Sequence, residues 1–222
     1  MTGSSLAGAD IAGILFDLDG VLWDSSTAHA MAFNETFRAY GLPLLTDYVR
    51  IAGMRTEEAI EQHLREHDLP VDAVQICSLT AAKRKASLEL LYEQAALAAG
   101  VSPTLERLRA IYRIALCTSG SRQSVRCFFE KSGCEAVFHA VVNGSEVECA
   151  KPAPDIFLLG AARLGLSPDT CLVVEDSLAG VQAAVAAGMR AVGVGAAAPR
   201  LLRAGAWMTI AEVSELPALV GL

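Results

Sequence analysis

The chain has 222 residues, of which 53% are hydrophobic and 19% charged, with a formal charge of −7 and a pI near 5.1. That length supports one good-sized core, or a core with a small second domain, and the composition excludes a disordered chain. The acidic balance argues against nucleic acid and anionic membranes as partners, while a small phosphorylated metabolite would still bind where cations are gathered locally.

The opening run MTGSSLAGADIAGILF has no basic start, and Asp10 and Asp17 interrupt its apolar residues. Neither a targeting leader nor a membrane span is expected, and the cytoplasm is the default location. Residues 11–16 read as a first strand, too short for a helix and closed by the turn-like Asp19-Gly20 pair. The next stretch, roughly 70 residues from 26 to 95, carries helical patterns at 28–40, 56–66 and 71–97 and almost no strand signal. It reads as a helical cap over residues 25–96, inserted into a core formed by 1–24 and 97–222.

Strands and helices alternate after the insertion. Ser102-Pro103 reads as a helix cap and first turn, and residues 113–117 as a strand. Ser121 is placed to cap a helix running to Ser132, with Gly133 past its end. A strand at 140–143 is followed by a helix opened by Pro154-Asp155 and closed by Gly165. Strands at 171–174 and 191–194 flank an alanine-rich helix that stops at Gly188. The expected fold is α/β: a Rossmann-like, doubly wound parallel sheet with helices on both faces. Six cysteines without a C-x-x-C pair read as reduced, buried thiols.

In an open parallel sheet, ligands bind beyond the carboxyl ends of the strands. There the chain places Asp17 and Asp19, then Thr118-Ser119, then Lys151 before its helix, then Glu175-Asp176-Ser177. These are the parts of a phosphoryl-transfer site. Of Asp17 and Asp19, one attacks phosphorus and the other handles the proton of the leaving oxygen. Clustered carboxylates repel unless a hard cation sits among them, and oxygen ligands beside phosphate favour Mg2+. Thr118, the Ser119 backbone and Lys151 would hold the non-bridging oxygens. A receiver-type phosphoacceptor has similar parts but lacks a helical insertion and the second acid pair. An inactive binding module would have lost an acid or the lysine.

The segments FDLDGVLWDS (16–25), LCTSGS (116–121), KPAPDIF (151–157) and VVEDSLAGVQAAVAAGM (173–189) resemble the haloacid-dehalogenase-like hydrolase superfamily, in its subgroup with an α-helical cap. The resemblance implies Asp17 as nucleophile, Asp19 as general acid/base, and Thr118 and Lys151 as phosphoryl ligands. It implies a metal set of Asp17, Asp19 (through its carbonyl), Glu175 and Asp176. The second acid favours phosphate transfer over dehalogenation. Hydrolysis of a small phosphate monoester is the leading expectation, and a β-phosphoglucomutase-like phosphomutase the alternative. His29 matches a histidine that assists the mutases, whereas Arg55 is one residue away from their arginine. His29 and Arg55 are both expected at the substrate. Lys83 and Lys85, in the charged run AAKRKASLELL, read as a solvated helix face. Monomer and dimer are both left open.

Overall fold

The computed structural model describes residues 11–222; the leaderless reading of the N-terminus falls mainly on residues 1–10, outside the described residues. Strand β1 (Gly13–Phe16) is buried along its whole length, as a central parallel strand covered on both faces must be. A two-residue strand, β2 (Trp23–Asp24), leads into helices α1 (Ser26–Ala39), α2 (Thr56–Glu66) and α3 (Ala73–Gln94). The chain returns through β3 (Ala96–Leu97), which pairs antiparallel with β2. Then follow α4 (Val101–Arg109), β4 (Arg113–Thr118), α5 (Arg122–Ser132), β5 (Ala140–Asn143) and α6 (Asp155–Leu164). The chain ends with β6 (Cys171–Glu175), α7 (Leu178–Ala186), β7 (Arg190–Val194), α8 (Ala198–Ala204), β8 (Met208–Ile210) and α9 (Leu216–Leu219).

Six parallel strands form one sheet in the order β5-β4-β1-β6-β7-β8. Alternate residues of β1 feed opposite faces. Ile14 and Phe16 pack with Leu105, Leu108 and Phe128 from α4 and α5, whereas Leu15 packs with Ile156, Phe157 and Val181 from α6 and α7. The sheet is therefore doubly wound. Chain order along it reverses beside β1, so the ends of β1, β4 and β6 border one crevice.

The insert has its own apolar cluster, in which Phe33, Phe37, Ile51, Ile60, Leu64 and Leu79 are buried together. Among the described residues no helix is long and apolar enough to cross a membrane. Three elements depart from expectation. Helix α4 starts at Val101, because Gly100 takes a left-handed turn (φ 70°) and its carbonyl accepts the Thr104 N–H. Ser102 is thus inside the helix, and Pro103 lies in the first turn, where a missing N–H costs nothing. Helix α3 stops at Gln94, since Ala96 and Leu97 are drawn into the ribbon with β2. The short edge strand β8 had no counterpart in the sequence reading.

Candidate active site

The strand β1 delivers Asp17 at its carboxyl end and then turns sharply. Leu18 is fully buried, and its carbonyl accepts the N–H groups of Val21, Leu22 and Trp23. This turn brings Asp19 back over the sheet edge. Gly20 is required for two reasons: its φ is +83°, and a Cβ there would lie 2.0 Å from Asp176 Oδ2.

Lys151 lies at the centre, with no exposed surface. Its Nζ donates to Asp17 Oδ1 and to Glu175 Oε1, each at 2.6 Å, and rests 4.9 Å over the Phe157 ring. Burial works against the ammonium, but the two carboxylates overcome it and hold its proton above the ordinary lysine range. Glu175 is equally buried, and its Oε2 accepts the Ser177 N–H at 2.7 Å and the Ser177 hydroxyl at 2.9 Å. Ser177 Oγ in turn accepts the Gly180 N–H, capping α7.

Oxygens of Asp17, Glu175 and Asp176 all lie within 4.8 Å of one another. Burial drives the Asp17 carboxyl up, Lys151 pulls it down, and Glu175 and Asp19 push it up again, to about 7. Asp176 is raised well above the carboxylate range by burial and by Glu175 and Asp17. Negative charge is in excess here. A carboxylate oxygen that accepts one hydrogen bond keeps a further lone pair, so Asp17, Glu175 and Asp176 could together hold a cation. This all-oxygen set fits a hard divalent metal ion.

Asp19 stands in a different environment. Its Oδ1 accepts the Ser25 hydroxyl at 2.6 Å and faces His29 Nε2 at 3.1 Å. Burial raises its carboxyl, but His29, Ser25 and Lys83 outweigh that and bring it down to about 2. The two aspartates of one turn are thus driven in opposite directions. Behind His29, Nδ1 meets the Lys83 ammonium at 3.0 Å and the Ser87 hydroxyl at 3.4 Å.

That contact corrects one expectation. Lys83 is only 5% exposed, with its ammonium 4.5 Å over the Phe33 ring, so it is not part of a solvated face. Lys85 is exposed, as expected. Lys83 repeats at helical spacing with Leu79, Ser87 and Leu90, all buried, and that spacing was visible in the sequence. Ser25 and Tyr48 were also missed.

A small chamber of about 40 Å³ lies over Asp17, lined by Asp19, His29, Tyr48, Gly53, Thr118 and Ser119 among others. Burial and the charges of Asp19, Asp176 and Asp17 raise the Tyr48 phenol well above its usual range. Thr118 Oγ1 accepts the Gly120 N–H at 2.9 Å, which orients the hydroxyl at the end of β4. The insert closes this chamber from above. Ser119 Oγ donates to the Gly53 carbonyl at 2.7 Å, and a Cβ on Gly53 (φ +79°) would lie 2.1 Å from Ser177 Oγ. Arg55, expected at the substrate, instead donates from Nη2 to the Val147 carbonyl at 3.0 Å and from Nη1 to that of Glu148 at 3.2 Å.

The haloacid dehalogenase-like hydrolase family model matches residues 11–188. Protein CbbY of Rhodobacter capsulatus is 35% identical, over 82% of this chain and 85% of its own length. A fructose-1-phosphate phosphatase of Escherichia coli is 33% identical (82% and 96%). A β-phosphoglucomutase of Bacillus subtilis is 30% identical (91% and 90%). A solved structure of a CbbY variant from Rhodobacter sphaeroides, in complex with xylulose-(1,5)bisphosphate, superposes with a TM-score of 0.82 at 30% identity, covering 96% of this chain and 100% of that one. The sheet order, the four convergent segments and these similarities agree, and the chain belongs to the haloacid dehalogenase-like hydrolase family.

Proposed function

We propose that the chain is a Mg2+-dependent phosphatase that hydrolyses a small phosphorylated sugar or polyol through an aspartyl-phosphate on Asp17. The observation that carries this reading is the split between the two aspartates of the β1 turn. Asp17 lies against Lys151 and the metal-type acids, whereas Asp19 is held by Ser25 and His29.

One carboxylate oxygen of Asp17, which Lys151 holds through Oδ1, is the attacking oxygen. It forms a bond to phosphorus as the bond from phosphorus to the leaving oxygen breaks. Asp19 Oδ2 faces the Gly120 side of the site, and from there Asp19 passes to the departing alkoxide the proton that the monoanionic ester brings in on binding. The resulting carboxylate then takes a proton from water as that water attacks phosphorus, releasing inorganic phosphate and restoring Asp17. Mg2+, held by Asp17, Asp176 and the Asp19 carbonyl with Glu175 close behind, would orient the phosphoryl group and offset its charge. Thr118, the Ser119 backbone and Lys151 bind its non-bridging oxygens.

The chamber is too small for a sugar, so residues 25–96 act as a cap that opens to admit substrate and closes to exclude water. A cleft of about 530 Å³ beside Ser119 and Gly120, bordered by Arg55, Arg84 and Arg122, gives the leaving group room. The CbbY complex with a sugar bisphosphate favours including such compounds among those tested. Phosphatase is preferred over phosphomutase because Arg55 is engaged with the backbone of the core and Arg84 with Glu57 at 2.6 Å, which weakens retention of a bisphosphate intermediate.

The test is phosphate release with Mg2+ from an aryl phosphate, sugar phosphates, polyol phosphates and sugar bisphosphates. β-Glucose-1-phosphate with its bisphosphate serves as the mutase arm. Turnover that Asp17→Asn abolishes supports the reading; isomerisation without release, or an Asp17→Asn protein of undiminished activity, refutes it.

A further inference from the structure

Arg55 immediately precedes α2, and its two terminal nitrogens grip successive carbonyls, Val147 and Glu148, across the seam between insert and core. Three residues on lies Glu58, whose carboxyl is raised by burial despite the nearby Arg55 guanidinium. The start of one helix therefore takes hold of two successive acceptors of the strip 147–150. That strip forms neither helix nor strand, and Glu148 and Cys149 are exposed. It leads straight into Lys151, whose ammonium is wedged between Asp17 and Glu175.

A planar guanidinium bonded to two consecutive carbonyls fixes the orientation of two peptide planes, which a single flexible donor would not. Arg55 does not line the chamber over Asp17. Its remaining nitrogen, Nε, is buried without a hydrogen-bond partner. Ser119 makes a second tie across the same seam through the Gly53 carbonyl.

We propose that Arg55 is a positioning residue: by holding the Val147 and Glu148 carbonyls, it couples seating of the insert on the core to the placement of the Lys151 ammonium. The inference rests on the reading of Lys151 as a phosphoryl ligand. Opening of the insert would release the strip and loosen Lys151; closing would set it. The site would reach its binding geometry for phosphate only with the insert in place.

Arg55→Ala and Arg55→Lys would be compared with the unaltered protein on an aryl phosphate and a sugar phosphate, both with Mg2+. Calorimetric binding of inorganic phosphate would be measured in parallel. The expected result is a fall in kcat/KM of roughly tenfold by the same factor on both esters, a matching loss of phosphate affinity, and partial recovery with lysine, which keeps one donor. A loss confined to the sugar ester would assign Arg55 to the leaving group and overturn the proposal, as would unchanged kinetics with unchanged phosphate affinity. Should Arg55→Ala fail to fold, Arg55→Gln set against Arg55→Lys, both of which keep a long polar side chain at the seam, gives the same comparison. If the unaltered protein binds phosphate yet releases none from any ester, the proposed activity fails while the affinity comparison still decides the role of Arg55.

Discussion

The Lys83 ammonium and Nδ1 of His29 stand 3.0 Å apart, joining two helices of the insert across 54 positions of chain. An ammonium only donates, so Nδ1 must accept, and the ring proton then resides on Nε2, directed at Asp19 Oδ1 3.1 Å away. Lys83 thereby selects the tautomer that the general acid/base requires.

Burial, with Arg84 nearby, brings the Lys83 ammonium down to about 8 against the pull of Asp19 and Glu57. Its proton is lost as pH rises past that value, and His29 loses its orienting donor. We expect kcat/KM to decline above about pH 8, and Lys83→Met to be roughly tenfold less active with that alkaline decline absent. A pH–rate profile of both proteins checks this.

The Asp17 carboxyl, at about 7 against an ordinary 3.8, binds its proton more tightly in the folded than in the unfolded chain. Between those values the native state carries the extra proton, so its stability falls as pH rises through that window. Asp176 acts in the same direction. Metal-free protein is therefore expected to melt at a lower temperature at pH 8 than at pH 5. Mg2+ should narrow the gap by adding about 2.7 kcal/mol at a hundredfold excess over its dissociation constant. Melting curves with and without a chelator are the measurement.

Substituting Gly20→Ala places a methyl group 2.0 Å from Asp176 Oδ2 and imposes a left-handed φ of +83° on an L residue. A stability loss of about 1–3 kcal/mol is expected, together with weaker Mg2+ binding, because Asp176 must move. Calorimetric titration of Mg2+ separates the second effect from the first.

Glu175→Ala removes one of two carboxylates from a fully buried ammonium and leaves the Ser177 N–H and hydroxyl without their acceptor. Breaking a buried pair in this way costs about 3–5 kcal/mol. Glu175→Gln keeps an acceptor oxygen and should be milder in chemical denaturation while still lowering turnover. Equal midpoints for the two variants would show that the acceptor oxygen adds nothing to the fold beyond the Glu175 charge.

Much of the core was legible because its signals are local and redundant. Strand β5 coincides with its expected range, and α5 begins at the Ser121 cap and ends at Gly133 as read. The acids and Lys151 follow strands in an order that the fold brings together. What escaped depends on contacts distant in sequence. Lys83 was read from its charged neighbours Arg84 and Lys85, although its helical spacing places it with Leu79 and Leu90; only packing of α3 against α1 turns that spacing into an active-site contact. Ser25 had no assigned chemistry, because nothing local shows that the β1 turn folds Asp19 back to within 2.6 Å of it. Tyr48 lies in a single short turn between helices and carries no pattern at all. Strands β2 and β3, two residues each, exist only by pairing with one another.

That pairing has a consequence for how such a molecule diversifies. Trp23 lies beside Leu97 and Asp24 beside Ala96, so the chain departs and returns at adjacent points. From the sheet's side, the whole helical excursion is a single graft on a two-residue stem. Helices could be lengthened or extended beyond the stem without displacing Asp17 or Asp176, which follow core strands β1 and β6, so long as the contacts of His29, Arg55 and Lys83 were kept. Selection could then revise which molecules are admitted while leaving the strand-borne acids in place.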